Sequence, residues 1–178
     1  MKIVSLFICI SFFFSSENDK EKFSWSAERL LTWEDFQGVP NKSDDFVAST
    51  NSGLSFSFSY KHDANGEGKL TYKVKSNFYP KLSWYRPGRV SDYILKHEQT
   101  HFDISELHAR KLRKKLSQLE YSDDYKEVAQ VVYQKMEQER RAMQQRFDDE
   151  TEHSNIVKAE HQWEAYVANQ LTMYEDWK

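Results

Sequence analysis

The chain has 178 residues, a formal net charge of −3 and 30% charged residues. This length suits one domain and is enough to bury a sizeable core. The slightly acidic balance excludes a strongly basic nucleic-acid-binding surface, so we expect no nucleic-acid partner. Cys9 is the only cysteine, which excludes a disulfide framework and a cysteine-rich metal site.

The N-terminus has the pattern of an export signal. A lysine precedes an apolar run from Ile3 to Phe14, and small and then charged residues follow it. A run of about 12 residues is too short to span a bilayer but suits the core of a signal peptide. We therefore predict a signal peptide at residues 1–16 and an N-terminal segment at 17–30. The mature protein is expected to be secreted, periplasmic or in the cell envelope, with no stable membrane span.

The first half of the mature chain alternates between apolar and polar side chains, which is typical of half-buried strands. The stretches 46–60 and 69–79 show this alternation most clearly. Asn65-Gly66 lies between them and is a strong signal for a tight turn. The pattern predicts an antiparallel β-hairpin.

The pattern becomes helical from Ser91, which is a candidate N-cap. A second helix is expected from Ser122 and a third from Ile156 towards Tyr174. Strands followed by helices indicate an α+β fold, here an N-terminal antiparallel hairpin or sheet packed on three C-terminal helices in a single domain, 31–178. The residues of the second helix expected to face inward are Val128, Val131, Val132 and Met136.

The first predicted helix contains His97-Glu98-Gln99-Thr100-His101. Four residues advance about 6 Å and rotate about 40° beyond a full turn, so both imidazoles project from one face. Zinc binds neutral imidazole and polarises a water molecule, and a neighbouring carboxylate can move the proton of that water to a leaving amine. The motif predicts zinc ligands at His97 and His101 and a catalytic base at Glu98. The alternative is a helix that carries these residues incidentally.

A catalytic zinc needs a third protein ligand. His108 shares the angular face of the motif but lies about 10 Å further along the helix, so we expect it at the rim or surface instead. The polar interruption 147–155 and the third helix offer better candidates. We rank His153 first, followed by Glu160 or Asp148.

Several separated segments resemble a bacterial family catalogued as a domain of unknown function and described as predicted secreted zinc-dependent proteases. The family pattern is His-Glu-x-x-His-Phe-Asp-Ile, followed by aromatic-Asp-x-x-Thr-x-His. The resemblance extends from about Leu31 to Val167. The matching segments are LTWEDFQGVP, DYILKHEQTHFDISELHARKLRKKL, RFDDETEHSN and EHQWEAYV.

This resemblance implies that His153 is the third ligand. It also implies that Asp103 and Asp148 are carboxylates that orient the ligand rings. Phe147 stands where relatives often have tyrosine, and His108 stands where they often have another aromatic residue.

The leading hypothesis is therefore a secreted zinc metallopeptidase with a zincin-like domain and its HExxH motif on the first long helix. Its partner would be a peptide or protein substrate, and the strand at 69–79 is a candidate to pair with an extended substrate. The alternatives are a non-catalytic zinc-binding module of the cell envelope and a peptidoglycan amidase that uses the same metal chemistry.

Overall fold

Strands come first along the chain and helices follow, which confirms the predicted α+β order. The structure is a computed structural model that describes residues 21–41, 46–62, 68–119, 122 and 124–178. The predicted signal peptide at 1–16 and the Asn65-Gly66 turn lie outside these described residues.

Two long strands and three long helices make up most of the described chain. The strands are β1 (Phe23–Ser24), β2 (Ala48–Ser49), β3 (Ser52–His62), β4 (Gly68–Phe78) and β5 (Trp84–Tyr85). The helices are α1 (Asp92–Ser117), α2 (Tyr125–Thr151) and α3 (Val157–Met173), with short 3₁₀ turns at Trp33–Asp35, Pro80–Leu82 and Glu175–Trp177. Across the described residues, none of the helices is both long and apolar enough to cross a membrane.

The strands β3 and β4 form the predicted antiparallel hairpin, and β1 pairs with the other edge of β4. Leu54 and Val74 are buried on one face, while Lys73 and Lys75 are exposed on the other. Because side chains alternate along a strand, this pattern gives the sheet a single apolar face. That face packs against α1, where Leu112 belongs to the same buried cluster.

Helix α1 lies at the centre of the fold and contacts the sheet, α2 and α3. It begins after Ser91, whose Oγ accepts a hydrogen bond from the Ile94 N–H at 3.4 Å, as expected for an N-cap. Neither glycine nor proline interrupts the helix. The angular relation between residues four apart is therefore preserved through the motif.

Helix α2 buries a stripe that only partly matches the one predicted. Met136 is buried and Val132 packs half-buried against the same cluster, as expected, but Val128 and Val131 are exposed. The buried face instead follows Ala129, Met136 and Phe147, a spacing close to whole helical turns. The prediction was wrong for Val128 and Val131 because the larger residues nearer the C-terminus of α2 set the phase of the buried face, which leaves these two valines on the solvent side.

The segment predicted to precede the domain is packed against it. Trp25 Nε1 donates to Asp103 Oδ1 at 2.7 Å, and Gln99 Nε2 donates to the same oxygen at 2.8 Å. Gln99 Oε1 in turn accepts from the Leu31 N–H at 2.8 Å. Together with the pairing of β1 and β4, these bonds attach residues 23–31 to α1 and the sheet.

Candidate metal centre

Three potential ligand atoms converge where the C-terminal end of α2 passes over α1. His97 Nε2 lies 3.2 Å from His101 Nε2, and Asp148 Oδ1 lies 3.2 Å from the first nitrogen and 2.9 Å from the second. Helix α1 supplies both rings from one face, as predicted, and α2 supplies the carboxylate. His97 is buried, whereas His101 and Asp148 are partly exposed.

The chemistry and spacing of these atoms fit a divalent metal. Zinc–ligand bonds of about 2.0–2.1 Å in a tetrahedron place neighbouring ligand atoms roughly 3.4 Å apart. The observed separations of 2.9–3.2 Å are close to that value. His97, His101 and Asp148 can therefore hold a metal ion without a rearrangement of the helices.

Glu160 supports His97 from behind. This α3 residue is fully buried, and its Oε2 lies 3.0 Å from His97 Nδ1. A carboxylate in this position keeps the proton on Nδ1 and leaves Nε2 free to bind a cation. Phe147 stacks on the same ring, with the centroids 4.5 Å apart. Glu160, a candidate ligand by sequence, thus contacts the far nitrogen of a ligand ring instead.

The electrostatics of the cluster couple the histidines to the carboxylates. Burial lowers the pKa of His97, but hydrogen bonds to Asp148 and Glu160 outweigh that effect and raise it to about 9. Burial alone would raise the pKa of Asp148, but the bonds from His101 and His97 hold it well below its usual range. The pocket therefore stabilises positive charge between these groups, which a proton or a metal ion can supply.

Glu98 is the buried carboxylate beside the cluster. It follows His97 by about 100° around the helix, so it faces the same open space. It is only 3% exposed, and no described residue hydrogen-bonds to its Oε2. Thr50 Oγ1 donates to its main-chain carbonyl at 3.2 Å. A buried carboxylate oxygen without a partner is costly in a structural role, so this one indicates a functional role.

His153 lies at the edge of the cluster, in a strained turn after α2. Glu152, His153 and Ser154 have φ angles of 48°, 51° and 69°, each of which costs an L-residue roughly 1–2 kcal/mol. The turn is held by the Tyr93 hydroxyl, which donates to the Ser154 carbonyl at 2.9 Å. The His153 ring stacks on Phe46, and its Nδ1 lies 3.6 Å from Asp148 Oδ1. His153 thus lies next to the cluster, but the third potential ligand atom of the cluster comes from Asp148.

Two other residues singled out by sequence lie away from the cluster. Asp103, implied to orient a ligand ring, accepts hydrogen bonds from Trp25 and Gln99 instead. His108, expected at the rim or surface, is only 2% exposed, and its Nδ1–H donates to the Ile104 carbonyl at 2.8 Å. Burial lowers the pKa of His108 to about 4. Asp148, implied to act from behind a ring, directs its Oδ1 at both Nε2 atoms.

A cavity of about 870 Å³ opens onto these groups. Its walls come from residues 46–50, the first turns of α1, the second half of α2 and the turn 153–155. Of the described residues that line it, none belongs to β4, the strand proposed from sequence to pair with a substrate. The stretch around β2 lines the cavity instead of β4, because β2 packs against α1.

Within the described part of the chain, β2 pairs with β5 alone, so its other edge has no neighbouring strand there. The Val47 carbonyl accepts a hydrogen bond from the Arg86 N–H at 2.8 Å, on the side that faces β5. Backbone groups alternate in direction along a strand, so the N–H and C=O of Ala48 point away from β5. Residues on both sides of Ala48 line the cavity. Ala48 is only 6% exposed, and its N–H and C=O are the β2 groups with which a further strand would pair.

Comparison with known proteins identifies a family and no function. A family model described as bacterial protein of unknown function (DUF922) matches residues 32–154. The matched span contains the HExxH motif, Asp148 and His153, and it ends before Glu160. No curated protein sequence and no solved structure matches the chain.

Proposed function

The chain belongs to this bacterial family of unknown function, and from that premise we propose that it is a secreted zinc-dependent metallopeptidase. The observation that carries the proposal is the arrangement of Glu98. Its buried oxygen has no partner among the described residues, and it faces a cavity where three metal-ligand atoms converge. The export pattern of residues 1–16 supports an extracytoplasmic location.

The donor set favours zinc over the harder divalent cations. Two imidazole nitrogens and one carboxylate oxygen are typical zinc ligands, whereas Mg²⁺ and Ca²⁺ prefer sites built from oxygen alone. Three protein ligands next to an open cavity are typical of catalytic sites, because structural zinc sites are closed by four. By geometry these ligands are His97, His101 and Asp148, with His153 as the alternative third ligand.

The residues around the cluster suit hydrolysis of a peptide bond. Zinc bound there would supply Lewis acidity, lowering the pKa of water and polarising the substrate carbonyl. Glu98 accepts a proton from the attacking water as the new C–O bond forms. As the C–N bond breaks, Glu98 returns that proton to the leaving amine. Phe147 and Glu160 keep the His97 ring fixed throughout.

The free edge of β2 provides a place for the substrate backbone. A peptide that pairs with Ala48 runs beside α1, because Thr50 hydrogen-bonds to the Glu98 carbonyl. His153 lines the same cavity with half of its side chain exposed. In the proposed mechanism His153 donates a hydrogen bond to the carbonyl oxygen on which negative charge develops.

The Glu98→Gln variant tests the proposal. We expect one zinc ion per chain in both proteins, and about 10²–10⁴-fold slower hydrolysis of unstructured proteins by the variant, since only the proton-transfer group is lost. Glu127→Gln, an exposed substitution at the start of α2, is the matched control. Equal rates for the wild type and Glu98→Gln would contradict the mechanism.

The choice of substrate separates the remaining alternatives. Cleavage of cell-wall peptide amides with no cleavage of proteins would replace the peptidase with a peptidoglycan amidase. Zinc enclosed by four protein ligands, with no hydrolysis of either substrate class, would indicate a non-catalytic binding module.

A further inference from the structure

Some of the charged side chains that line the cavity have a role in the proposed mechanism, and others do not. In the described part of the chain its walls carry two carboxylates, Glu98 and Asp148, and two guanidinium groups, Arg89 and Arg141. Asp148 belongs to the metal cluster, and Glu98 is the proposed catalytic base. A divalent cation in the cluster balances them, so the two arginines leave the cavity with a net positive charge.

The two arginines lie at opposite ends of the cavity. Gln144 Nε2 donates to the His101 carbonyl at 2.9 Å, and Arg140 Nη1 to Ser105 Oγ at 3.4 Å, so α1 and α2 run antiparallel here. Arg141 precedes Asp148 by seven residues, which is about 10 Å along α2 in the direction of the C-terminal end of α1.

Arg89 lies in the other direction, before the N-cap of α1 and eight residues ahead of His97. Along the axes of α1 and α2, the metal cluster therefore lies between the positions of Arg89 and Arg141. A distance of about 10 Å corresponds to roughly three residues of an extended chain, so Arg141 can reach a side chain on one side of the scissile bond and Arg89 one on the other.

Both guanidinium groups are available to a ligand. Among the described residues nothing forms an ion pair or hydrogen bond with the Arg89 side chain, although its charge faces the cavity. Arg141 is 72% exposed and approaches Glu137 only at 3.5 Å. Glu137 is already held by Arg140 at 2.9 Å and by the Leu54 N–H at 2.9 Å. Arg141 therefore loses only a weak ion pair when it binds a substrate carboxylate instead.

We infer that the cavity selects extended peptides that carry acidic side chains on either side of the cleaved bond, and that Arg89 and Arg141 bind those carboxylates. This specificity rests on the proposed peptidase function. Main-chain pairing with β2 supplies affinity that does not depend on sequence, and the guanidinium forks add selectivity because they match carboxylates in bidentate geometry.

Binding to the zinc-loaded Glu98→Gln protein tests this inference without turnover. The probes are three fluorescently labelled pools of decapeptides, randomised except that two positions about six residues apart, roughly three on each side of the central bond, are both Glu, both Gln or both Lys. We expect the Glu pool to bind about tenfold more tightly than the Gln pool, as two charge-assisted contacts would give, and the Lys pool to bind most weakly. The advantage of the Glu pool should shrink as the salt concentration rises.

Substitution of the two arginines assigns the effect. Added to Glu98→Gln, either Arg89→Gln or Arg141→Gln should lower the preference for Glu over Gln, and both together should remove it. The control is Arg146→Gln, an exposed α2 arginine that pairs with Glu150 and does not line the cavity. Circular dichroism verifies that each variant is folded.

The outcomes separate the two proposals. Hydrolysis of unstructured proteins by the wild type decides the peptidase function. Equal binding of the three pools, binding of none of them, or a preference for Glu that survives in the double arginine variant overturns the acidic specificity, whatever the result of the hydrolysis assay.

Discussion

Helix α1 carries two buried charged regions, and they differ in how completely their polar atoms are satisfied. In the first, around His97 and Glu98, oxygens of Glu98 and Glu160 remain without hydrogen-bond partners among the described residues. In the second, about two turns later, Glu106 accepts hydrogen bonds from both Arg110 and Arg113, at 3.1 and 2.9 Å. Buried polar groups are normally paired, so the incomplete region is the one that indicates a ligand.

The complete region joins the C-terminus to the core. Arg110 Nη1 donates to the Leu171 carbonyl and to Glu175, both at 2.7 Å, and Arg113 donates to the Trp177 carbonyl at 2.8 Å. Every one of these partners is supplied by the protein itself. The second region is therefore part of the scaffold, whereas the first is the candidate metal centre. Each substitution below tests one of these two regions.

The largest effect is expected from Arg110→Ala. This change leaves the buried Glu106 carboxylate with fewer partners and frees the last turn of the chain, so we expect a loss of about 3 kcal/mol in the free energy of unfolding. Urea denaturation measures it. Arg146→Ala, which removes an exposed pair with Glu150 and a cation–π contact with Trp163, should cost less than about 2 kcal/mol. Zinc affinity should be unchanged in both, and a parallel loss of zinc affinity in Arg110→Ala would show that the two regions are coupled.

A similar effect is expected from pH at His108, a buried residue of α1 within the span of the second region. Burial, together with the positive charges of Lys111 and Arg140, outweighs the Ile104 carbonyl and Glu139 and gives this ring a pKa of about 4 against an ordinary 6.5. Because the folded state favours the neutral ring, its contribution is fully present above pH 6.5 and is lost as the pH falls towards 4. The loss amounts to roughly 3 kcal/mol.

Denaturation of the wild type and of His108→Gln across that range isolates the contribution of His108. The variant carries no titrating group at this position, so its stability should fall less steeply between pH 6.5 and 4. Parallel curves for the two proteins would mean that His108 is not held neutral by the fold.

A smaller effect is expected from Glu160→Gln. The substitution keeps the shape of the side chain but removes the charge that holds the His97 ring, so zinc affinity should fall about 10–100-fold. Competition with a chelator measures the affinity. Glu127→Gln, an exposed substitution at the start of α2 outside the cluster, serves as the control. Unchanged affinity in Glu160→Gln would mean that the contact with His97 Nδ1 does not tune the ligand.

Local patterns were enough to predict most of the fold. Alternation predicted the hairpin, Ser91 predicted the start of α1, and the spacing of His97 and His101 placed both rings on one face. Each of these predictions depends on neighbours within a few residues. The inward face of α2 was predicted correctly for Val132 and Met136 and wrongly for Val128 and Val131, because its phase is set by tertiary packing of residues such as Phe147.

The assembly of the site depends on contacts that local patterns do not contain. Asp148, His153 and Glu160 were all candidates by sequence, but their ranking follows from how α2 and α3 cross α1. The place of β2 at the cavity likewise depends on the packing of distant elements. The sequence did contain one signal for Glu160. It is a glutamate on the same helical face of α3 as the apolar residues Trp163 and Val167.

A crystal structure of the zinc-loaded protein tests the central claim most directly. We expect zinc at about 2.0–2.2 Å from His97 Nε2, His101 Nε2 and Asp148 Oδ1, with one coordination position open to the cavity beside Glu98. A metal bound elsewhere, or one enclosed by four protein ligands at this cluster, would contradict the claim that this is a catalytic zinc site.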